Sequence, residues 1–324
     1  MRWYKCELHT HTKHSDARHG LEELVDKAWN MLNLDALAIT DHNTITASKE
    51  VNICEEKYPL TFIPGIELTT FYGHIVVLGL EQYIEWRDLH RLNLEERVKE
   101  INKCGGVVGI AHPCRVGDPI STGSYFTYHI DDYNVFDYIE VWTRTASVKD
   151  IENKANMALW TELLNKGYRI TGVYGRDWHG GGSEVDENIY TLVNSPTSDK
   201  ASILEGIKQG NVQCSSGPVV NIQVLKAGKW EDLFFGDEIV SKPLTFKLSW
   251  DLETIKGAEK YKKVKLYVNI ESNKGSLARI EKSDSEEPFN IDYIEGLKWI
   301  RLDVHTIENN QHKMLGFTNP IYFN

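Results

Sequence analysis

The feature that most constrains the fold is a series of short apolar segments in the first two thirds of the chain, each about the length of one buried strand. These segments cover residues 36–40, 61–63, 75–78, 107–111, 138–141 and 170–174. Apolar residues recur at helical spacing between several of them, over 21–32, 89–101 and 155–166. This alternation of strands and helices predicts an α/β fold, either a barrel or a doubly wound sheet.

The pattern changes after about residue 215. Segments such as 245–250 and 263–270 alternate between apolar and polar residues with a period of two, which is typical of strands with one buried face. A length of 324 residues accommodates a barrel of about 200 to 250 residues and a smaller second unit. We therefore predict two domains, residues 1–215 and 216–324, of which the second is an all-β sandwich.

Five clusters of histidine and carboxylate side chains stand at or near the ends of the predicted strands. They are His9-Thr10-His11 with Asp16, Asp41-His42, Glu67 with His74, His112, and Asp177-Trp178-His179. Because the carboxyl ends of parallel barrel strands open onto one face, clusters that are distant in sequence would converge there. In an extended segment, residues two apart project to the same side, so that His9 and His11 can bind one ion together.

The distribution of histidine separates a chemical part of the chain from a structural part. Ten of the twelve histidines lie at or before His179. Each motif alone is weak, because paired histidines and Asp-His steps are also common in surface loops and turns, but a purely structural role does not explain this skew. Imidazole and carboxylate ligands without thiolate suit Zn, Mn or Fe. The sequence therefore predicts a multinuclear metal site and a metal-dependent hydrolase.

These clusters resemble the PHP (polymerase and histidinol phosphatase) superfamily, and within it the CehA/McbA-like branch of stand-alone metallohydrolases. The resemblance covers most of residues 1–215. It is carried by His9-Thr10-His11, Ser15-Asp16, residues 39–43, residues 64–67, Gly73-His74, Ala111-His112-Pro113, Ile139-Glu140-Val141 and Asp177-x-His179. It implies a distorted seven-stranded βα barrel of the PHP type with two or three divalent metal ions.

The resemblance also implies a set of nine metal ligands. The first metal would be held by His9, His11, Glu67 and Asp177, with Glu67 bridging; the second would be completed by His74 and His112; the third would be held by Asp16, His42 and His179. Metal ions around a bridging carboxylate lower the pKa of a shared water and neutralise substrate oxygens. The expected nucleophile is metal-bound hydroxide, with Glu67 and Asp177 as catalytic residues.

The chain departs from the family pattern by placing cations beside ligands. Arg18, Arg115 and Arg176 lie one to three residues from a proposed ligand, where guanidinium groups can bind a phosphate or carboxylate bidentately. Pairing with surface carboxylates is the alternative for each of them. Arg115 is the best candidate for a catalytic contact. Glu140 ends a predicted strand on the same face, where we expect it to support a ligand or line the substrate pocket.

Composition limits the partners. A net charge of −11 repels polyanions, so that long nucleic acid is not expected as a partner. No apolar run approaches the roughly 18 residues of a membrane span, and the first residues have no apolar signal segment. The five cysteines form no C-x-x-C pair, which is typical of reduced thiols. We therefore expect a cytoplasmic protein.

The leading prediction is a phosphoesterase that acts on a small phosphate ester through metal-bound hydroxide at a two- or three-metal site. A carbamate or carboxylic ester hydrolase would use the same metal centre without needing the arginines. A ligand-binding protein that retains the scaffold is the non-enzymatic alternative, and it leaves the complete set of nine ligands unexplained.

Overall fold

The computed structural model describes residues 1–117, 123–144, 151–180, 188–282, 286–308 and 310–324. The strands up to residue 215 are β1 (Arg2–Glu7), β2 (Ala36–Ile39), β3 (Thr61–Thr70), β4 (Gly73–Leu78), β5 (Val107–Ile110), β6 (Tyr138–Thr143), β7 (Thr171–Gly175), β8 (Tyr190–Ser195) and β9 (Val212–Ser215). The helices are α1 (Leu21–Asn30), α2 (Asn52–Glu55), α3 (Leu94–Lys103), α4 (Ile151–Lys166) and α5 (Lys200–Lys208).

All six predicted apolar segments lie in strands, and the three helical stretches overlap α1, α3 and α4. The second stretch is shorter than predicted, because α3 begins at Leu94. The backbone N–H of His90 donates to Asn93 Oδ1, and the N–H of Asn93 donates to the His90 carbonyl, which forms a turn in place of the first helical turn. Leu92 lies in this turn and is 71% exposed.

The strands form a mixed sheet in the order β9-β8-β1-β2-β3-β4-β5-β6-β7. The pairs β1–β2, β2–β3, β5–β6 and β6–β7 are parallel, whereas β4 is antiparallel to both of its neighbours. Strand β8 is antiparallel to both β1 and β9. Seven strands, all except β4 and β8, therefore run in one direction and present their carboxyl ends at one edge. The antiparallel β3–β4 hairpin turns between Thr70 and Gly73.

The segments that follow β1 and β7 come together beyond the strand ends. An isolated parallel bridge joins Thr10 to Trp178. The N–H of His11 donates to the Trp178 carbonyl at 3.0 Å, and the N–H of Trp178 donates to the His9 carbonyl at 3.2 Å. Strand pairing within the described residues nevertheless forms an open path from β9 to β7, so that closure into a seven-stranded barrel stays a prediction.

Ten further strands lie in the described residues of the C-terminal third. They are β10 (Val219–Lys226), β11 (Lys229–Leu233), β12 (Glu238–Ile239), β13 (Leu244–Asp251), β14 (Leu266–Ser272), β15 (Gly275–Glu281), β16 (Phe289–Ile291), β17 (Trp299–Glu308), β18 (Gln311–Thr318) and β19 (Ile321–Phe323). A separate four-stranded antiparallel sheet has the order β11-β10-β13-β16. Its apolar residues, such as Ile222 and Phe246, share one core with Val268 of β14 and Leu302 of β17.

The remaining C-terminal strands continue the N-terminal sheet. Strand β18 pairs with β9, so that Gly316 lies opposite Ser215 at the predicted boundary between the domains. The division into residues 1–215 and 216–324 and the sandwich arrangement stay predictions. Of the two C-terminal histidines, His312 Nδ1 is 2.6 Å from Tyr267 Oη and the His305 ring stacks on Tyr267, so that both lie within the C-terminal strands.

Two bulk expectations can be compared with the structure. Within the described residues no helix is both long enough and apolar enough to cross a membrane. All five cysteines are free thiols.

A buried ion pair fixes the joined ends of β1 and β7. Arg176 Nε donates to Glu7 Oε2 at 3.2 Å, and the backbone N–H of Arg176 donates to Glu7 Oε1 at 3.0 Å. A second guanidinium nitrogen donates to the Ile189 carbonyl. Both side chains are buried, so that loss of one partner would leave an uncompensated charge in the interior.

We predict that Arg176→Met destabilises the protein by about 3–5 kcal/mol, the scale for breaking a buried pair, and that adding Glu7→Gln recovers part of this loss. Urea unfolding followed by near-UV circular dichroism measures both. The matched control is Arg87→Met, because Arg87 forms an exposed pair with Glu85 and should contribute at most about 1 kcal/mol. Equal effects of the two single substitutions would contradict a structural role for the Arg176 pair.

Candidate metal centre

The first group of candidate ligands lies where β1 and β7 end. His9 and His11 follow β1, Asp177 follows β7, and Glu67 points in from β3. His11 Nε2 is 3.0 Å from Asp177 Oδ1, and His9 Nε2 is 3.3 Å from Glu67 Oε2 and 3.5 Å from Asp177 Oδ1. All four side chains are buried. The structure therefore brings together the residues that the resemblance assigns to the first metal.

The second group shares Glu67 with the first. On this side Glu67 Oε1 is 3.0 Å from His74 Nδ1 and 3.2 Å from His112 Nε2. The β3–β4 hairpin brings His74 back beside Glu67, as the sequence predicted. One carboxylate oxygen of Glu67 thus faces each group, which is the arrangement that a bridging ligand requires.

The third group lies on the solvent side of the first. Asp16 Oδ1 is 3.1 Å from His179 Nε2 and 3.5 Å from His42 Nε2. The His11 ring stacks on the rings of both His42 and His179, with centroid distances of 4.3 and 4.2 Å. Asp16 is more than half exposed, so that this end of the centre is open to solvent. All nine predicted ligands therefore fall into three adjoining groups.

The distances within the first group fit a metal ion. Ligand atoms bound to one transition-metal ion at about 2.0–2.2 Å stand roughly 3.0–3.5 Å apart, and the four His-carboxylate distances are 3.0, 3.3, 3.5 and 3.5 Å. His9 Nε2 and Glu67 Oε2 are buried and make no hydrogen bond within the described part of the chain. Such atoms are costly to bury unless they have a partner, and a cation would supply one to both.

The electrostatics of the site also fit a cation. Burial would raise the pKa of Glu67, but His42, His9 and His74 hold it well below its ordinary value. Asp177 has a pKa that is likewise lowered well below the usual range, because its hydrogen bond with His11 and the nearby imidazoles outweigh burial. Both carboxylates are ionised at neutral pH, which is the form that binds a metal.

Two buried carboxylates, those of Glu140 and Asp41, orient the candidate ligands through hydrogen bonds. Glu140 Oε1 is 2.7 Å from His9 Nδ1, which leaves His9 Nε2 to face Glu67, and Glu140 Oε2 accepts the backbone N–H of His112 at 2.9 Å. Asp41 accepts the Thr12 backbone N–H at 2.7 Å and thereby fixes the loop that carries Asp16. Partners of this kind fix the orientation and tautomer of metal ligands.

Two buried carboxylates have contacts that bear on their roles. Glu140 is buried, and both of its oxygens contact candidate ligand residues. These are the contacts expected of a residue that supports a ligand, and its role in the substrate pocket stays a prediction. Asp41 accepts hydrogen bonds from Thr12 and Ser15.

The three predicted arginines occupy different environments. Arg115 reaches the metal centre, where its Nη1 donates to Asp177 Oδ2. Arg18 is exposed, and no ion pair of its side chain is found in the described ranges. Arg176 is buried and held by Glu7, because its guanidinium points into the interior rather than towards the open face. The predicted fork of Arg18, Arg115 and Arg176 is therefore not assembled.

A fourth arginine, Arg144, lies beside Arg115. It is not among the arginines predicted from the sequence. Arg144 Nη2 lies 3.4 Å from the same oxygen, Asp177 Oδ2, and the Arg144 side chain is 46% exposed. Arg144 follows β6 directly, in the position that the metal-binding clusters occupy after other strands. Its position after a strand is the sequence feature that could have identified Arg144 as a site residue. It was not predicted because it lies more than three residues from any proposed metal ligand.

Strained backbone is concentrated at this centre. Left-handed φ angles occur at His112 (26°), Asp177 (51°), Arg144 (57°) and Asn43 (54°), the residue after His42. Non-glycine residues adopt such angles only where the surrounding structure compensates for the strain, which is common at functional sites.

Comparison with known proteins places this geometry in a family context. Residues 7–119 match the family model of the PHP domain. An uncharacterized protein of Methanocaldococcus jannaschii is 27% identical over 179 residues, which cover 49% of this chain and 99% of that protein. The resemblance to the PHP superfamily is thus confirmed at the level of the domain, and the CehA/McbA-like branch stays a prediction.

The fold is similar to that of a solved two-domain protein from Bacteroides vulgatus, which contains a predicted PHP-like metal-dependent phosphoesterase. The TM-score is 0.54 at 14% sequence identity, and the alignment covers 99% of this chain and 95% of that one. The alignment spans the C-terminal strands as well as the N-terminal sheet, and it supports a PHP-like fold.

We predict that the protein binds at least two equivalents of a transition metal, and that Glu67→Gln removes at least one of them, because Glu67 faces two of the three groups. Inductively coupled plasma mass spectrometry after gel filtration measures the content. Glu85→Gln is the matched control, because Glu85 is exposed and belongs to none of the three groups. Wild-type protein that holds less than one equivalent after incubation with Zn, Mn or Fe would contradict the metal centre.

Proposed function

We propose that this protein is a metal-dependent phosphoesterase of the PHP type that hydrolyses a small phosphate ester at a two- or three-metal site. The single observation that carries this proposal is the meeting of Arg115 and Arg144 at Asp177 Oδ2, directly beside the candidate ligands. Guanidinium groups beside a cation site form a surface for an anionic substrate.

The metal ions supply known chemistry when they are bound, because divalent ions lower the pKa of a water molecule and neutralise phosphoryl oxygens. The residues of the chain divide the other tasks among themselves. Glu67 and Asp177 would hold the metal of the first group through their carboxylates, and they set the charge of that group. Arg115 and Arg144 bind nonbridging oxygens and orient the ester, which enters from the solvent side next to Asp16.

Several finer features belong to this proposal. We place the protein in the CehA/McbA-like branch, with a closed barrel, a cytoplasmic location and a small-molecule substrate. The PHP domain match and the PHP-like fold support the reaction class. The Bacteroides protein of similar fold contains a predicted phosphoesterase of the same type, which supports the choice of phosphate.

A carbamate or carboxylic ester hydrolase is the second candidate, and one observation favours it. Asp177 pairs with both arginines and so offsets their charge before any substrate binds. In that case the arginines would only hold Asp177, and a neutral ester would need no contact with them. The two functions therefore differ in what Arg115 does during turnover.

We predict that Arg115→Ala lowers kcat/KM for a phosphomonoester by about 2–4 kcal/mol in transition-state stabilisation, the scale of a lost preorganised oxyanion contact, and changes kcat/KM for an aryl carbamate much less. Steady-state kinetics with both substrates and a phosphodiester measure this difference. Arg279→Ala, on the C-terminal strand β15, is the control. Wild-type protein that cleaves only the carbamate, with full activity retained in Arg115→Ala, would reject the phosphoesterase.

A further inference from the structure

Helix α4 carries two buried asparagines on one face. Asn153 and Asn156 are one helical turn apart, and both are at most 1% exposed. A buried amide in a helix is costly unless it is hydrogen-bonded. Both side chains bind backbone groups outside the helix, at the edge of the sheet that holds the metal centre.

Each asparagine side chain forms a hydrogen bond with the backbone of a residue that directly precedes an arginine. Asn153 Oδ1 accepts the N–H of Thr143 at 2.8 Å, and its Nδ2 donates to the Thr143 carbonyl at 3.3 Å. Asn156 Oδ1 accepts the N–H of Cys114 at 2.9 Å. Thr143 directly precedes Arg144, and Cys114 directly precedes Arg115. Each amide thus fixes the backbone one residue before an arginine.

The backbone of Arg144 is held at further points. Its N–H donates to the Gly175 carbonyl at 3.1 Å, and its carbonyl accepts the hydroxyl of Tyr174 at 3.1 Å. These contacts maintain the left-handed φ of 57° that turns the chain at the end of β6. The guanidinium is therefore directed to Asp177 by backbone geometry as well as by charge.

The other end of α4 is fixed by the C-terminal strands. Arg301 of β17 donates from Nη1 to Thr161 Oγ1 at 3.1 Å, and its guanidinium lies 5.0 Å from the centre of the Trp160 ring. Trp160 also packs against Phe317 of β18. The helix is consequently held between the C-terminal sheet and the two loops that carry the arginines.

We propose that Asn153 and Asn156 are positioning residues that hold Arg144 and Arg115 together as one oxyanion-binding pair. This inference rests on the proposed function and deepens it. It assigns binding of the substrate anion to two arginines, each of which follows a residue whose backbone is held by the same helix. Asn153 acts through Arg144, and Asn156 acts through Arg115. Among the described residues, neither asparagine forms a hydrogen bond with a candidate metal ligand, so that metal content should not depend on them.

The test is a double-mutant cycle on binding of inorganic phosphate to the metal-loaded full chain, measured by isothermal titration calorimetry. Asn156→Ala weakens phosphate binding by about 10- to 100-fold, the usual effect of losing a residue that orients a binding group, with unchanged metal content. When Asn156→Ala is added to Arg115→Ala, phosphate binding is not weakened further. When Asn156→Ala is added to Arg144→Ala, it still weakens phosphate binding. Asn165→Ala, at an exposed position of the same helix, leaves phosphate binding unchanged.

The reciprocal cycle of Asn153→Ala with Arg144→Ala is independent of the first and decides the matter if Asn156→Ala does not fold. Full additivity in a cycle that folds, or wild-type protein that binds no phosphate, overturns the inference. Failure of the proposed function is distinguishable, because wild-type protein would then bind phosphate and show the predicted cycle without hydrolysing any phosphate ester. Hydrolysis with additive cycles would instead retain the function and reject the positioning role.

Discussion

The burial of the Glu67 carboxylate is the interaction on which the rest of the centre depends. Imidazole nitrogens of five histidines lie within 3.5 Å of its two oxygens, and none of its surface reaches solvent; they belong to His9, His11, His42, His74 and His112. A buried charge costs several kcal/mol unless close partners compensate for it. Here the partners come from four separate segments, so that the sheet must bring all of them to one edge before the charge is satisfied. The same crowding of ligand atoms stabilises a bound cation.

The mixed sheet explains how one carboxylate can face so many partners. If β4 ran parallel to its neighbours, His74 would begin a strand at the far edge, away from Glu67. The antiparallel β3–β4 hairpin instead places His74 opposite Thr69 and within contact distance of Glu67. The left-handed turns at His112 and Asp177 then direct side chains inward from the ends of β5 and β7. Backbone strain at these positions is thus balanced by the interactions of the centre that they complete.

Local patterns were sufficient to predict six strands of the N-terminal sheet and the polar clusters at their ends, because those features depend on short-range periodicity. The assignment of nine candidate ligands came from the resemblance to the PHP superfamily. Three features depended on contacts between distant residues and were not predicted. Arg144 approaches Asp177 only through a left-handed turn, the pairing of β9 with β18 joins residues about 100 positions apart, and Arg176 turns away from the open face to meet Glu7. A sequence distance of one residue from a ligand does not determine the direction of a side chain. The direction of the side chain depends instead on which buried charge it pairs with, as Arg176 does with Glu7.

The continuity of the sheet across residue 215 changes how the C-terminal strands should be regarded. They contribute no candidate ligand, and their two histidines contact Tyr267 instead. Yet β17 and β18 provide the surface on which α4 packs, through Arg301, Phe317 and the indole of Trp160. A helix anchored at one end to such a surface can hold groups at its other end with little freedom, which is what a pair of arginines needs if both are to meet one small anion. The C-terminal strands are thus part of the structure that positions the site, even though no side chain of theirs lies within it.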